Sequence, residues 1–237
     1  MRSVRGVVAV LAALSLAAGT SAGEKAKEGS KPAPPPAEAP PPTMTKVVVH
    51  TVFPGLSHKD VDTQPKVIYR AGDRWGRVEH PKNAAGMVPV VIVASPDAWF
   101  VDLAKKQAEH ILDPGPTYRF RAPIVDPGPG VPKELAELEF GREFAFVDAH
   151  HGKRGAESTK QGGKADFYEV AFEGGTKVTV SAKPNTRDVE AVVVMQGQKV
   201  LASYRYDEYQ AALPTNPSLF APPKDVRIVE RKAAKKR

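Results

Sequence analysis

The feature that most constrains this chain is a succession of short β-type segments separated by very short connections. From residue 44 onward, β-branched and aromatic residues gather in runs of six to nine, and most consecutive runs lie two to five residues apart. A parallel crossover takes about a dozen residues or more, so neighbouring segments must run antiparallel. The sequence therefore predicts a mainly β fold built on an antiparallel sheet.

Turn signals and side-chain alternation support this prediction. Ala71-Gly72-Asp73 and Gly174-Gly175 are suited to tight hairpin turns. Residues 177–183 alternate between apolar and polar side chains, as expected for a strand with one buried face. A single sheet of about eleven strands should curl strongly or close on itself. The predicted strands are 45–53, 66–71, 74–80, 88–94, 98–103, 106–111, 117–123, 167–173, 176–182, 188–196 and 199–206.

One segment departs from the β pattern. The stretch Pro132–Asp148 is predicted to be a helix, because Pro132 suits a first turn and Glu134 favours the positive end of the helix dipole. Its apolar side chains must cover something in a β protein, and the open mouth of a curled sheet is the obvious place. The helix is then either a fixed plug or a lid over a ligand cavity. A polar, glycine-rich loop is predicted over 149–166.

The N-terminus has the three parts of a secretory signal peptide. Arg2 and Arg5 provide positive charge, residues 6–18 are apolar or small, and Thr20-Ser21-Ala22 supplies a small-residue cleavage site. The apolar run is shorter than the roughly 20 residues that span a bilayer, which argues against a membrane anchor. We expect cleavage after Ala22 and export to the periplasm or beyond. Thr20 stands where a lipoprotein signal would need cysteine, so no lipid anchor is expected.

The remaining chain divides into a spacer, a domain and a tail. Residues 23–43 contain seven prolines and no large apolar residue, which predicts an extended, disordered spacer. Residues 44–230 form the predicted domain, with 24 basic and 24 acidic side chains. A neutral domain followed by the basic tail 231–237 is not the pattern of a nucleic-acid-binding fold. The tail either contacts anionic headgroups or is a solvated terminus.

Catalytic and metal-binding motifs are missing from the sequence. The adjacent His150 and His151 lack the further ligands and spacing of a zinc site, and there is no nucleophile elbow or phosphate-binding loop. The absence of cysteine excludes disulfides and thiolate chemistry. The carboxylates of Glu134, Glu137, Glu139 and Glu143 are predicted to lie on a solvated face of the helix. We therefore predict no enzyme, no cofactor and no metal.

The order of segments resembles that of LolA-type periplasmic lipoprotein carriers. The stretch 89–103, followed by Lys106-Gln107-Ala108, is similar to the central hairpin of that family. Residues 67–79 are similar to the preceding hairpin. Residues 218–229 resemble the closing F-x-P-P-x-G-V pattern, with Asp225 in the place of the glycine. The resemblance implies an incomplete, strongly curved half-barrel of about eleven strands, capped by helical structure, with an apolar cavity for acyl chains.

With this resemblance, the sequence predicts a monomeric envelope protein that shelters a lipid, an acyl chain or a lipidated partner. Arg70 is expected as a polar contact at the mouth of the cavity. The alternative is a structural envelope protein with a filled barrel, whose basic tail touches anionic membrane or cell wall. The residues expected to bind the ligand are Arg70, Trp75, Trp99, Leu138, Phe140, Phe144, Tyr168 and Phe172.

Overall fold

The part of the chain that the structure describes is a single open, curved and mainly β sheet with one α-helix. The computed structural model describes residues 39–53, 57, 63–112, 119–126, 128–155, 158–160 and 163–230. The predicted signal peptide, residues 23–38 of the predicted spacer and the basic tail lie outside the described residues.

Within the described residues, thirteen strands build the sheet. The order across it is β13-β6-β5-β4-β3-β2-β1-β12-β11-β10-β9-β7, and the short β8 pairs with β9 beside this path. The described pairings are antiparallel except that β13 runs parallel to β6. The strands are β1 Thr43–Thr51, β2 Lys66–Ala71, β3 Trp75–Glu79, β4 Pro89–Ala94, β5 Asp97–Asp102, β6 Gln107–Leu112, β7 Lys153–Arg154, β8 Ser158–Lys160, β9 Gly163–Ala171, β10 Thr176–Ala182, β11 Val189–Gln196, β12 Lys199–Pro214 and β13 Arg227–Glu230.

The predicted class, an open antiparallel sheet that stops short of a closed barrel, is confirmed. Ten of the eleven predicted strands are present, with ends shifted by a few residues except in β12, which runs on to Pro214. The strand predicted over 117–123 is wrong in its described part, which has only an isolated bridge between Pro123 and Glu139. The backbone there joins the helical region, as Phe140 donates its N–H to the carbonyl of Ala122. The predicted loop 149–166 contains β7, β8 and the start of β9.

The predicted continuous helix Pro132–Asp148 is also wrong. The structure has a 3₁₀ turn over Lys133–Glu137 and a short helix α1 over Glu143–Ala149. Gly141 lies between them with φ of +78°, a conformation that ends regular helix and that glycine adopts without strain. We call residues 119–126 and 128–149 together the insert.

Two apolar clusters lie on opposite faces of the sheet. On the insert face, side chains of the insert pack against Val47, Val49, Ile68 and residues of β9 to β12. On the opposite face, Val90, Ile92 and Val101 pack with Phe220 from the C-terminal segment. The pleat explains this arrangement, because successive residues of one strand point to opposite faces.

Among the described residues, no helix combines the length and the apolar character needed to cross a membrane.

Candidate functional site

The insert is held on its face by a buried ion pair. Arg70 on β2 places its guanidinium 2.5 Å from Oε2 of Glu139, and both side chains are about 5% exposed. Arg70 also donates to the carbonyls of Phe120 and Phe140 and lies over the Phe120 ring. Arg121 forms a second ion pair with Glu139. Each charge of the pair compensates the other, and burying either one alone would cost free energy. The insert is therefore held in the position that keeps the two side chains together.

A buried carboxyl group lies at the start of α1. Glu143 accepts hydrogen bonds from the backbone N–H of Gly141 and from the Tyr206 hydroxyl on β12, the latter at 2.5 Å. Burial raises the pKa of the Glu143 carboxyl, and burial together with that carboxyl raises the pKa of Tyr206. The prediction that Glu139 and Glu143 are solvated is therefore wrong, because both side chains point toward the sheet instead of toward water.

A glycine on β3 makes room for an aromatic ring of the insert. A Cβ atom at Gly76 would lie only 2.0 Å from the Phe120 ring, so only glycine fits beneath it. Phe120 is 2% exposed and donates its N–H to the carbonyl of Asp73. This contact places the beginning of the insert over β3.

The apolar surface of the insert face continues past the insert. In the pairing register, Val47, Ile68, Val78, Val91 and Phe100 follow one another across β1 to β5. Exposure rises along this row: Ile68 is 1% exposed, Val78 and Val91 are half-buried, and Phe100 is 38% exposed. We call Val78, Val91 and Phe100 the open strip. It is an apolar surface continuous with the core and accessible from outside.

Two basic side chains lie on the same face as the open strip: along their strands, Lys66 is two residues from Ile68 and His80 is two residues from Val78. The Lys66 Nζ atom is 4.1 Å from the centre of the Phe140 ring and 4.9 Å from that of Tyr204. Burial lowers the pKa of Lys66 to about 8. His80 follows β3, and burial, with the charge of Lys66, lowers its pKa to about 4. At neutral pH the pair is thus one ammonium and one neutral imidazole.

Two clefts border the insert. One, of about 360 Å³, has mainly charged walls that include Arg119, Arg121 and Arg142. The other, of about 440 Å³, lies between Val131 and Phe172. No group of three potential metal-ligating side chains occurs in the described part of the chain.

The structure brings six of the eight predicted ligand-binding residues to the insert face. Leu138, Phe140 and Phe144 are buried there, with Tyr168 and Phe172 packed against them. Arg70 is also on this face but is buried in its ion pair instead of standing at an open mouth. Trp75 and Trp99 belong to the cluster on the opposite face. Whether any of the eight binds a ligand stays a prediction.

Sequence reasoning missed Phe100, Lys66 and His80. Phe100 follows Trp99, and strand alternation alone would have placed the two rings on opposite faces. No signal in the sequence marks Lys66 or His80, since their proximity arises from the pairing of β2 with β3.

Comparison with known proteins gives only weak likenesses. No family model matches the chain, and no curated protein matches it. A crystal structure of an uncharacterized conserved protein from Thermus thermophilus is similar over 80% of this chain and 91% of that one, at 16% identity and a TM-score of 0.44. The structure of MucB in complex with MucA(peri) is similar over 79% of this chain and 56% of that one, at 9% identity and a TM-score of 0.32. The structure of PNGF-II is similar over 81% of this chain and 31% of that one, at 8% identity and a TM-score of 0.30.

Proposed function

We propose that this domain is a non-enzymatic binding module of the periplasm or cell envelope that shelters a lipid, an acyl chain or a lipidated partner. The observation that carries the proposal is the open strip, where Phe100 continues the apolar row of the core into solvent. Burying an acyl chain there would gain about 0.8 kcal/mol per methylene. The resemblance of residues 67–79 and 89–108 to LolA-type carriers and the predicted signal peptide support the same function.

The proposed contact surface differs from the one expected from sequence. Leu138 and Phe140 belong to the core cluster of the insert face, and both are fully buried. A ligand reaching them would first have to displace the insert. The open strip needs no such rearrangement, so it is the part of the insert face that we assign to the ligand.

The second candidate is a structural envelope protein with a filled interior. The close packing of the insert favours it, because Leu135, Leu138 and Phe140 are at most 1% exposed. In that case the open strip is ordinary surface, since single exposed apolar residues are common on proteins without ligands.

Native mass spectrometry separates the two candidates. The protein is purified from cells that export it, and its mass is measured as isolated. The fluorescence of the neutral apolar probe N-phenyl-1-naphthylamine is then measured with and without the protein. The binding module should carry lipid or bind the fluorophore, and F100S should weaken binding. V52S is the matched control, since Val52 is an exposed apolar residue at the end of β1.

A protein that carries no lipid and leaves the fluorescence of the probe unchanged would contradict the binding function and favour the structural one. Equal loss of binding in F100S and V52S would contradict the assignment of the ligand to the open strip. Both variants alter exposed residues, so neither should lower the thermal midpoint by much.

A further inference from the structure

Resting on the proposed function, we propose that the open strip and the Lys66–His80 pair form one binding site for a long-chain carboxylate, such as a free fatty acid. The acyl chain lies along Val78, Val91 and Phe100. The carboxylate accepts hydrogen bonds from the Lys66 ammonium and from the His80 imidazole.

The pairing register brings the polar and apolar parts together. Lys66 and Ile68 are two residues apart on β2, and His80 and Val78 are two residues apart at the end of β3. Residues two apart point to the same face and are separated by about 7 Å along the strand. The basic pair therefore borders the end of the strip nearest the insert, and Phe100, about 10 Å from Val78 across two strands, marks its outer end.

The charge of Lys66 has no carboxylate partner within the described part of the chain. Its contacts there are the faces of Phe140 and Tyr204, which attract a cation more weakly than a carboxylate does. Other acidic groups on this face have partners of their own, since Glu139 pairs with Arg70 and Glu143 accepts from Tyr206. Asp102 lies across two further strands and accepts from the backbone N–H groups of Val88, Ala104 and Lys105.

The balance of charge favours a ligand with a single negative charge. At neutral pH Lys66 contributes one positive charge, and His80 contributes a neutral N–H donor. A carboxylate supplies one negative charge and two acceptor oxygens, which matches this pair. Because the Lys66 side chain is half-buried, a charged hydrogen bond to its ammonium is stronger than one at the open surface.

The test compares oleate with oleyl alcohol, which has the same chain and an uncharged head. Isothermal titration at pH 7, with both ligands below the concentration at which they aggregate, gives the two affinities for the exported protein. Loss of a charged hydrogen bond corresponds to roughly a tenfold to hundredfold change in affinity. We expect oleate to bind more tightly than oleyl alcohol by that factor.

Variants of the basic pair locate the preference. K66M keeps the aliphatic stem and should reduce oleate affinity to that of oleyl alcohol, whereas K66R should retain the preference for oleate. H80Q should lower oleate affinity by a smaller factor. K199M, which removes an exposed lysine from the β11–β12 hairpin, should leave the affinities for both ligands unchanged. Unchanged binding of oleyl alcohol by K66M shows that the variant is folded.

The outcomes distinguish the two proposals. Equal affinities for oleate and oleyl alcohol, or a preference that survives in K66M, would overturn the carboxylate site while leaving the apolar strip in place. Failure of both ligands to bind the wild-type protein would overturn the binding function itself, and the carboxylate site with it.

Discussion

The Arg70 guanidinium on β2 lies 2.5 Å from the Glu139 carboxylate of the insert, and both groups are almost fully buried. These two residues are 69 positions apart in sequence, so the ion pair joins the sheet to the segment that covers it. Arg121 shares the same carboxylate from the solvent side. Loss of Glu139 would leave the Arg70 charge uncompensated in a site from which water is excluded, and loss of Arg70 would leave Glu139 with only the more exposed Arg121 as an ionic partner.

We expect R70M and E139Q each to lower the free energy of unfolding by about 3–5 kcal/mol, as measured by urea denaturation. The control is K177M, which breaks the exposed pair of Lys177 with Glu169 and should cost less than about 1 kcal/mol. The double variant R70M/E139L should be less destabilised than the sum of the single changes, because no charge remains buried. A cost of R70M no greater than that of K177M would contradict the anchoring role.

The sheet could be predicted from sequence because its signals are local. Alternation and short turns determine strands such as β10 and the hairpin around Gly72, and each acts over fewer than about ten residues. The insert could not be predicted in the same way. Its apolar spacing suits a helix, but the buried ion pair of Glu139 and the left-handed conformation of Gly141 depend on the sheet beneath it.

The site was harder to predict than the fold for a related reason. As large aromatic residues, Trp75 and Trp99 are predicted to bind the ligand, yet the pleat directs them to the opposite face. Lys66 and His80 are 14 residues apart and become neighbours only when β2 pairs with β3. A site that is assembled across strands requires the register, and the register requires the three-dimensional structure.

The contact between Gly76 and Phe120 provides a second prediction. G76A should be destabilised by about 1–3 kcal/mol, because the added methyl group would overlap the ring and force the insert away from β3. G155A is the matched control, since a Cβ atom at Gly155 would have only ordinary contacts. Urea denaturation gives both values.

A double-variant cycle tests the cause of that loss. F120A removes the ring and should itself cost about 3–5 kcal/mol. Adding G76A to F120A should then cost little more, since the space beneath the ring is free. Full additivity of the two changes would mean that the glycine is needed for another reason.

Glu143 predicts that stability declines as the pH rises above about 4.5. Burial raises its pKa in the folded protein above the ordinary value of 4.5, so the folded state holds the proton more tightly than the unfolded state does. The contribution of Glu143 is therefore fully present below about pH 4.5 and is lost as the pH rises through the folded-state pKa. E143Q should remove this decline in the free energy of unfolding.

The measurement is urea denaturation across a pH series above 4.5, with E134Q as the control. Glu134 is an exposed glutamate of the same insert, and its replacement should leave the slope with pH unchanged. A wild-type slope that persists in E143Q would assign the decline to other groups.

His80 predicts the opposite dependence at acidic pH. Its folded-state pKa of about 4 lies below the ordinary value of 6.5, so the unfolded state binds the proton more readily between these values. The stability contributed by neutral His80 is complete above pH 6.5 and is lost as the pH falls toward 4. The difference corresponds to at most roughly 3 kcal/mol.

H80Q should flatten this part of the pH profile by a comparable amount, whereas H151Q, at an exposed histidine, should not. Because His80 lies beside the charge of Lys66, the change should be smaller in K66M, and an unaltered profile in K66M would contradict the proximity of the two side chains.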